Sequence, residues 1–125
     1  VNNPCLFCEF LKNKKIAAEN DLAFAIFDGF PVNPGHVLVI PKRHVANYFE
    51  LTSAEVLAIN GLLNKMKAEV EAKFHPDGYN IGVNVGADAG QSIFHVHVHL
   101  IPRYKGDVES PRGGVRGVIP SKRSY

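Results

Sequence analysis

The stretch SIFHVHVHLIPR, residues 92–103, places His95, His97 and His99 at every second position of an otherwise aliphatic run. Side chains alternate between the two faces of a β-strand, so this spacing predicts a strand over 93–102 with all three imidazoles on one face. The other face would carry aliphatic side chains that pack against a hydrophobic core. Three imidazoles side by side on one face indicate a chemical role.

Three interpretations of these histidines remain open from their spacing alone. Histidines two residues apart can chelate one zinc ion, so a catalytic zinc held by His95 and His97 is the first. One ion for all three is disfavoured, because the outer pair spans about 13 Å and Zn–N bonds are about 2.0 Å long. The second is a structural role, which three histidines on one face also disfavour. In the third, the histidines have different chemical roles. A neutral imidazole with a pKa near ~6.5 can attack phosphorus while its neighbour donates hydrogen bonds to the developing charge.

The other strand signals predict an antiparallel sheet. Segments 22–28 and 36–41 are rich in strand-forming residues and flank GFPVNPG, a turn sequence, so they predict a hairpin. Segment 79–85 alternates apolar residues with Asn and Gly, which predicts a half-buried strand.

One long helix is predicted between these strands. Thr52 and Glu55 have the spacing of a capping box, and the turn sequence HPDG stops the helix near Phe74. An apolar stripe recurs at three- and four-residue intervals between these ends. Its members are Val56, Ile59, Leu63, Met66 and Val70. The expected fold class is α+β, with an antiparallel sheet of about five strands covered on one face by this helix.

Composition indicates one ordinary globular domain. The chain has 125 residues, of which 46% are hydrophobic and 21% charged, and its net charge is +2. Scattered charges of both signs argue against a nucleic-acid partner. No apolar run approaches the ~20 residues of a membrane span, and no signal-peptide pattern opens the sequence. We therefore expect a cytoplasmic protein without a membrane partner.

The two cysteines lie close together. Cys5 and Cys8 form a Cys-x-x-Cys pair, which in this context indicates a metal site or a redox pair more than a structural disulfide. Together with two histidines the pair would make a tetrahedral zinc set, but spacing alone does not choose the histidines.

The motif HVHVHLI resembles the signature of the histidine triad family, in which three histidines alternate with hydrophobic residues. The resemblance extends through NVGADAGQSIFH and DGFPVNPGHVLVIPKRH and covers residues 5–103. It implies a triad domain over 1–104, including a short N-terminal helix and a zinc-binding segment, and a basic Gly/Pro-rich tail at 105–125. It also implies a homodimer in which the sheets of two subunits join.

The resemblance further implies a nucleotide hydrolase that forms a covalent nucleotidyl–histidine intermediate. By position, His97 would be the nucleophile, His99 would contact the phosphate or its polar network, and His36 would support that network. The other implied contacts are Asn84 at the phosphate or ribose, Gln91 and Ser92 near the leaving group, Asp28 at the ribose hydroxyls, and Phe7, Ile26 and Phe27 as walls for the base. The implied ligands of a structural zinc ion are Cys5, Cys8, His44 and His95.

Two questions stay open at this point. The expected substrates are dinucleoside polyphosphates or nucleoside phosphoramidates of adenosine or another purine, and the alternative is a nucleotide-binding interaction module with negligible turnover. In the tail, Arg112 and Arg116 either reach over the cleft or to the dimer partner and contact a polyphosphate, or belong to a solvated arm.

Overall fold

The computed structural model describes residues 5–125, and its centre is a five-stranded antiparallel sheet. The strands are β1 (Ala18–Glu19), β2 (Ala23–Phe27), β3 (Val37–Pro41), β4 (Gly78–Val83) and β5 (Val98–Arg103). Their order across the sheet is β1-β2-β3-β5-β4, and every neighbouring pair is antiparallel. The predicted α+β class is confirmed.

Two α-helices cover opposite faces of the sheet. Helix α1 spans Leu6–Lys12 and helix α2 spans Ser53–Phe74. Thr52 caps α2 as predicted, since its hydroxyl accepts from the Glu55 N–H at 3.1 Å and the Glu55 carboxylate accepts from the Thr52 N–H at 2.9 Å. The helix ends where predicted, at Phe74, and His75 terminates it in the left-handed conformation.

The core under α2 differs from the predicted stripe at two of its five positions. Ile59, Met66 and Val70 are buried and Leu63 is half-buried at the edge of the core, but the fourth buried apolar residue of the helix is Leu62, and Val56 is 37% exposed. Leu62 lies three residues after Ile59 and four before Met66, so it also satisfies the helical spacing. These residues pack on the alanines and valines of β2 and β3 and on alternate residues of β5.

Strand boundaries were predicted less well. The strand expected over 93–102 begins only at Val98, because its partners in β3 and β4 pair with nothing earlier than that residue. The strand expected over 79–85 ends at Val83, and the two-residue β1 was not predicted. Residues 92–97 are irregular, with a bend at 93–95, and the Val96 N–H donates to the Val45 carbonyl of a neighbouring segment. The three histidines therefore lie on a bend followed by a strand, and they need not share one face.

The tail has local structure of its own. Two short 3₁₀ helices, Gly114–Val118 and Pro120–Lys122, end the chain, and the first of them contacts β4. Within residues 5–125, none of the helices combines the length and apolar composition that a bilayer crossing requires.

Candidate active site and metal cluster

A cavity of about 430 Å³ lies between α1 and the sheet face opposite α2. It contains two of the three triad histidines, His97 and His99, together with Asp28, Asn84 and Ser92. Its apolar walls are Leu6, Phe7, Phe10, Ile26, Phe30, Leu38 and Ile93. The cavity thus combines two imidazoles and a few other polar groups with a largely apolar lining.

His97 is oriented by one main-chain contact. Its Nδ1 lies 2.9 Å from the carbonyl oxygen of His95, and a carbonyl only accepts, so Nδ1 carries the proton. Nε2 is then the ring nitrogen with a free lone pair. The ring is 8% exposed and packs against Phe7, with 4.9 Å between ring centroids. His97 is therefore a rigidly held imidazole that can act as a nucleophile at the cavity.

A hydrogen-bond chain fixes the tautomer of His99. The main-chain N–H of Val32 donates to Nδ1 of His36 at 3.0 Å, so neutral His36 carries its proton on Nε2. That Nε2–H donates to Nδ1 of His99 at 2.9 Å. His99 must then hold its own proton on Nε2 and can donate it to a ligand.

Burial keeps His36 and His99, the two histidines of this hydrogen-bond chain, neutral near pH 7. It is the main reason that the pKa of His99 falls from 6.5 to about 4, and the neighbouring His97 and His36 add to the effect. Burial likewise lowers the pKa of His36, against the opposing influence of Asp28. A neutral His99 with a defined Nε2–H stabilises charge that develops in a reaction without first binding a proton.

The carboxylate of Asp28 stands where the hairpin turn meets the cavity. One oxygen accepts from the Phe30 N–H at 2.9 Å, and the other lies 3.6 Å from Nε2 of His36. The turn therefore holds the carboxylate in place with acceptor capacity left for a ligand hydroxyl.

Two predicted contacts require correction. Gln91 was expected to place donors near the leaving group, but its side chain is buried and holds the loop: Oε1 accepts from the Gly86 N–H, and Nε2 donates to the carbonyls of Ala46 and Ile93. Phe27 was expected to wall the base beside Ile26, but its side chain is 44% exposed and does not line the cavity. Neighbouring strand residues point to opposite faces, so only one of these two can reach it.

Several cavity walls were not predicted. Leu6 and Phe10 lie four residues apart on α1, and Phe10 lies three residues after Phe7. Leu38 lies on β3, two residues after His36. Helical and strand periodicities would have indicated these three residues. Phe30 is 93% exposed at the cavity mouth and carries no periodic signal.

Cys5, Cys8, His44 and His95 form a second cluster next to the cavity, as the resemblance implied. All four ligand atoms lie within 4.8 Å of one another. Nδ1 of His95 is 3.3 Å from the Cys5 sulfur, 3.6 Å from the Cys8 sulfur and 3.2 Å from Nδ1 of His44. Around a tetrahedral zinc ion, bonds of ~2.0 Å to nitrogen and ~2.3 Å to sulfur give N–N edges of about 3.3 Å and N–S edges of about 3.5 Å. The donor set fits zinc.

Protonation in the cluster agrees with metal binding. Nε2 of His95 donates to the Pro41 carbonyl at 2.7 Å, which leaves the Nδ1 lone pair facing the other three ligands. Burial, with the adjacent Cys5, raises the pKa of the Cys8 thiol to about 11, so a cation is needed to hold the Cys8 sulfur as a thiolate. His97 does not belong to this cluster, which disfavours a catalytic zinc held by His95 and His97.

Comparison with known proteins identifies the family. A family model described as the HIT domain matches residues 10–106, and the chain belongs to this family. An uncharacterized 16.1 kDa HIT-like protein of Mycoplasma pneumoniae is 42% identical over 109 residues, which make up 84% of this chain and 75% of that relative. The asymmetrical bis(5'-nucleosyl)-tetraphosphatase of Schizosaccharomyces pombe is 39% identical over 101 residues, which make up 81% of this chain and 56% of that enzyme.

Solved structures agree with this assignment. A Zn-bound histidine triad family protein from Mycobacterium smegmatis superimposes with a TM-score of 0.76 at 31% identity, over 85% of this chain and 79% of that one. The predicted histidine triad membership is confirmed, and the family includes both hydrolases of dinucleoside polyphosphates and proteins without an assigned reaction.

Proposed function

We propose that this protein is a nucleotide hydrolase that works through a covalent nucleotidyl–histidine intermediate on His97. Its substrates are nucleoside phosphates that carry a leaving group on the α-phosphorus, either dinucleoside polyphosphates or nucleoside phosphoramidates. The observation that carries the proposal is the bond between Nδ1 of His97 and the His95 carbonyl, since it leaves an Nε2 lone pair at the cavity. The tetraphosphatase among the relatives supports the reaction class.

The reaction has two steps. In the first, Nε2 of His97 forms a bond to the α-phosphorus while the bond to the leaving group breaks, and the leaving group departs with that electron pair. In the second, a water oxygen bonds to phosphorus and releases one proton to the solvent while the N–P bond breaks, and His97 recovers its lone pair. The Nε2–H of His99 donates to the phosphoryl oxygens, whose negative charge grows in both transition states.

The rest of the cavity holds the nucleoside. The free acceptor capacity of Asp28 suits ribose hydroxyls, and Asn84 stands near the phosphate end beside His99. Phe7, Ile26 and Leu38 offer apolar surface to the base. This placement puts the α-phosphorus between the two triad histidines, whose ring centroids are 5.3 Å apart.

The second cluster is proposed to hold a structural zinc ion. Cys5, Cys8, His44 and His95 would bind it, and it would supply a cross-link between α1 and the bend that precedes β5. Phe7 lies on α1 between two of the ligands and contacts the His97 ring. The metal would therefore support the nucleophile indirectly, through packing.

A second copy of the chain is the proposed occupant of the free edge at β4. Among the strands of residues 5–125, β4 pairs with β5 alone, and an apolar groove between β4 and α2 includes the exposed side chains of Leu57 and Ile81. Pairing of two β4 edges would continue the sheet across a homodimer. Light scattering after gel filtration should give a dimer for the wild type and a monomer for Ile81→Lys, with Phe49→Lys as a control outside the groove. A monomeric wild type would contradict the dimer.

The reaction is tested with His97→Ala. We expect turnover of adenosine substrates to vanish while calorimetric affinity for adenosine monophosphate stays within about threefold, because the lost group acts mainly in the transition state. His75→Asn is the matched control: it replaces a histidine outside the cavity in a left-handed conformation that asparagine tolerates. Retained turnover in His97→Ala would contradict the mechanism, and a wild type that binds the nucleotide without turnover would favour the interaction module.

A further inference from the structure

The turn between β2 and β3, residues 28–36, carries two groups of the proposed active site. One is the carboxylate of Asp28 at the nucleotide cavity, and the other is the main-chain N–H of Val32, which donates to Nδ1 of His36 at 3.0 Å. The position of the Val32 amide decides which nitrogen of His36 keeps its proton, because two N–H groups do not bond to each other. The turn therefore acts on the pair of His36 and His99.

This histidine pair has two neutral arrangements that preserve its hydrogen bond. In the first, the Nε2–H of His36 donates to Nδ1 of His99, and His99 keeps an N–H for the phosphoryl group. In the second, both protons move to the Nδ1 atoms, so His99 donates to His36 and meets the phosphoryl oxygen with a lone pair. The Val32 N–H favours the first arrangement. The carboxylate of Asp28 acts in the same direction, but at 3.6 Å from Nε2 of His36 it lies beyond hydrogen-bond length.

Asn33 ties the turn to residues 102–107, the end of β5 and the turn that follows it. Both protons of its amide nitrogen are used, since Nδ2 donates to the Pro102 carbonyl at 3.0 Å and to Oδ2 of Asp107 at 2.8 Å. Asn33 directly follows Val32 in the chain. The two bonds therefore restrict where the Val32 N–H can point.

Asp107 is a fixed acceptor for the Asn33 amide. Arg103 binds its carboxylate with two hydrogen bonds, from Nε at 2.7 Å and from Nη2 at 2.8 Å, and the Tyr104 N–H donates to it at 3.0 Å. These bonds, those of Arg103 above all, hold the pKa of Asp107 well below its usual range. Nη1 of Arg103 donates to the Asn80 side chain on β4 at 2.7 Å. The carboxylate is therefore charged and is anchored to the sheet.

Two arginines of the C-terminal tail pack on an aromatic ring instead of this carboxylate. The guanidinium groups of Arg112 and Arg116 lie over the ring of Tyr125, at 5.1 and 4.8 Å from its centroid. Neither arginine lines the nucleotide cavity, so the expectation that they contact a polyphosphate in this cavity is not supported. A fully solvated arm is not supported either, because the 3₁₀ helix Gly114–Val118 contacts β4.

We propose that Asn33 is a positioning residue that acts through the β2–β3 turn on the proton of His99. Neither Asn33 nor Asp107 lines the nucleotide cavity, so the effect does not depend on contact with the substrate. The bonds of Asn33 hold the Val32 N–H on His36, and His99 then meets the phosphoryl group with an N–H donor. The kinetic consequence rests on the proposed function, whereas the tautomer of His99 is measurable without turnover.

Asn33→Ala tests the tie directly. It removes both donors, while Asp107 keeps its bonds to Arg103. Long-range proton–nitrogen correlation NMR spectra of the zinc-loaded protein near pH 7 distinguish protonated from unprotonated imidazole nitrogens. In the wild type we expect the proton of His99 on Nε2, and in Asn33→Ala we expect the Nδ1–H form to become the major one.

The same variant has an expected kinetic signature. The kcat for the adenosine phosphoramidate with an unsubstituted amino group should fall by on the order of fivefold in Asn33→Ala, and KM should change by less than about twofold, because the lost donor acts on charge that develops in the transition state. Asn33→Ala keeps the bond from the His36 N–H to the carbonyl of residue 33, so the turn itself is expected to persist.

Asn20→Ala is the matched control. Asn20 also ties a hairpin turn to a distant segment, since its Nδ2 donates to the Ala58 carbonyl at 2.9 Å, but that turn joins β1 to β2 and carries none of the proposed active-site residues. Asn20→Ala should lower the melting temperature about as much as Asn33→Ala and leave the His99 tautomer and kcat unchanged.

Tyr104→Phe supplies a second variant of the same tie. It removes the bond from the Tyr104 hydroxyl to the Pro34 carbonyl, which is 2.7 Å long, and should shift the His99 tautomer in the same direction by a smaller amount. An unchanged tautomer in Asn33→Ala, or in Tyr104→Phe if Asn33→Ala does not fold, would overturn the positioning role. An equal shift in Asn20→Ala would overturn it as well. A wild type without turnover would instead contradict the proposed function and leave the tautomer result standing.

Discussion

Replacement of Phe7 by alanine tests how the site is supported. Phe7 is 2% exposed, lies on α1 between two cysteines of the metal cluster, and packs against the rings of His95 and His97. Its other neighbours are buried side chains of β2 and β3. A small movement of α1 cannot fill the space of a phenyl ring while Cys5 and Cys8 keep their positions beside His44 and His95.

The expected cost follows from that burial. Truncation of a buried phenylalanine to alanine costs about 3–5 kcal/mol in transfer energy and cavity formation. For a domain of this size, that loss lowers the melting temperature by about 10–20 °C. The kcat should fall as well, because the ring that holds the His97 imidazole in place is gone.

Unfolding in urea and thermal melts, both with saturating zinc, measure the effect. Phe30→Ala is the matched control: its side chain borders the same cavity but is 93% exposed, so we expect a change in stability within about 0.5 kcal/mol and a higher KM. A loss below about 1 kcal/mol for Phe7→Ala, or equal losses for the two variants, would refute the packing argument.

Three further predictions concern hydrogen bonds, acid stability and the metal. His36→Ala should lower kcat by on the order of 10²-fold with little change in KM. His36→Gln should keep much of the wild-type kcat, because a glutamine amide N–H can replace the Nε2–H that fixes the tautomer of His99. An equal loss of kcat in both variants would contradict the tautomer argument. Arg43 holds the pKa of Glu55 at about 2 instead of 4.5, so the unfolded state binds more protons, and stability from this pair is full above pH 4.5 and is lost as the pH falls toward 2. Between pH 4.5 and 2, the free energy of unfolding should therefore depend less steeply on pH in Glu55→Gln than in the wild type. Identical slopes for the two proteins would contradict this role of Glu55. A chelator should lower the melting temperature, since metal present at a thousand times its Kd contributes about 4 kcal/mol of stability. If the chelator leaves the melting temperature of the zinc-loaded protein unchanged, that result contradicts a structural ion.

Local signals in the sequence predicted the long helix and the burial of the aliphatic residues between the histidines. Thr52 and Glu55 act within one helical turn, and so the capping box is visible in four consecutive residues. The alternation of the triad likewise predicted that aliphatic neighbours such as Val98 and Leu100 would be buried, as they are. Each of these features depends on residues close together in the chain.

Features that depend on distant partners could not be predicted from local patterns. The triad strand starts at Val98 because β3 and β4 offer no earlier partner, and strand propensity does not contain that information. Gln91 bonds to the Ala46 carbonyl, 45 positions away, and this removes it from the cavity. His44 joins the cysteines across a gap of 36 residues, so only the resemblance to a family could single it out.

The central claim is that Nε2 of His97 becomes bonded to phosphorus during turnover. Reactions with the unsubstituted adenosine phosphoramidate, quenched in alkaline denaturant within the first turnover, should yield a peptide of residues 92–103 heavier by one adenylyl group, with fragmentation that places the adduct on His97. The bond between phosphorus and an imidazole nitrogen is stable in base, so every sample that shows turnover should also show the adduct. Turnover without any adduct, or an adduct on His95 or His99 instead, would contradict the account.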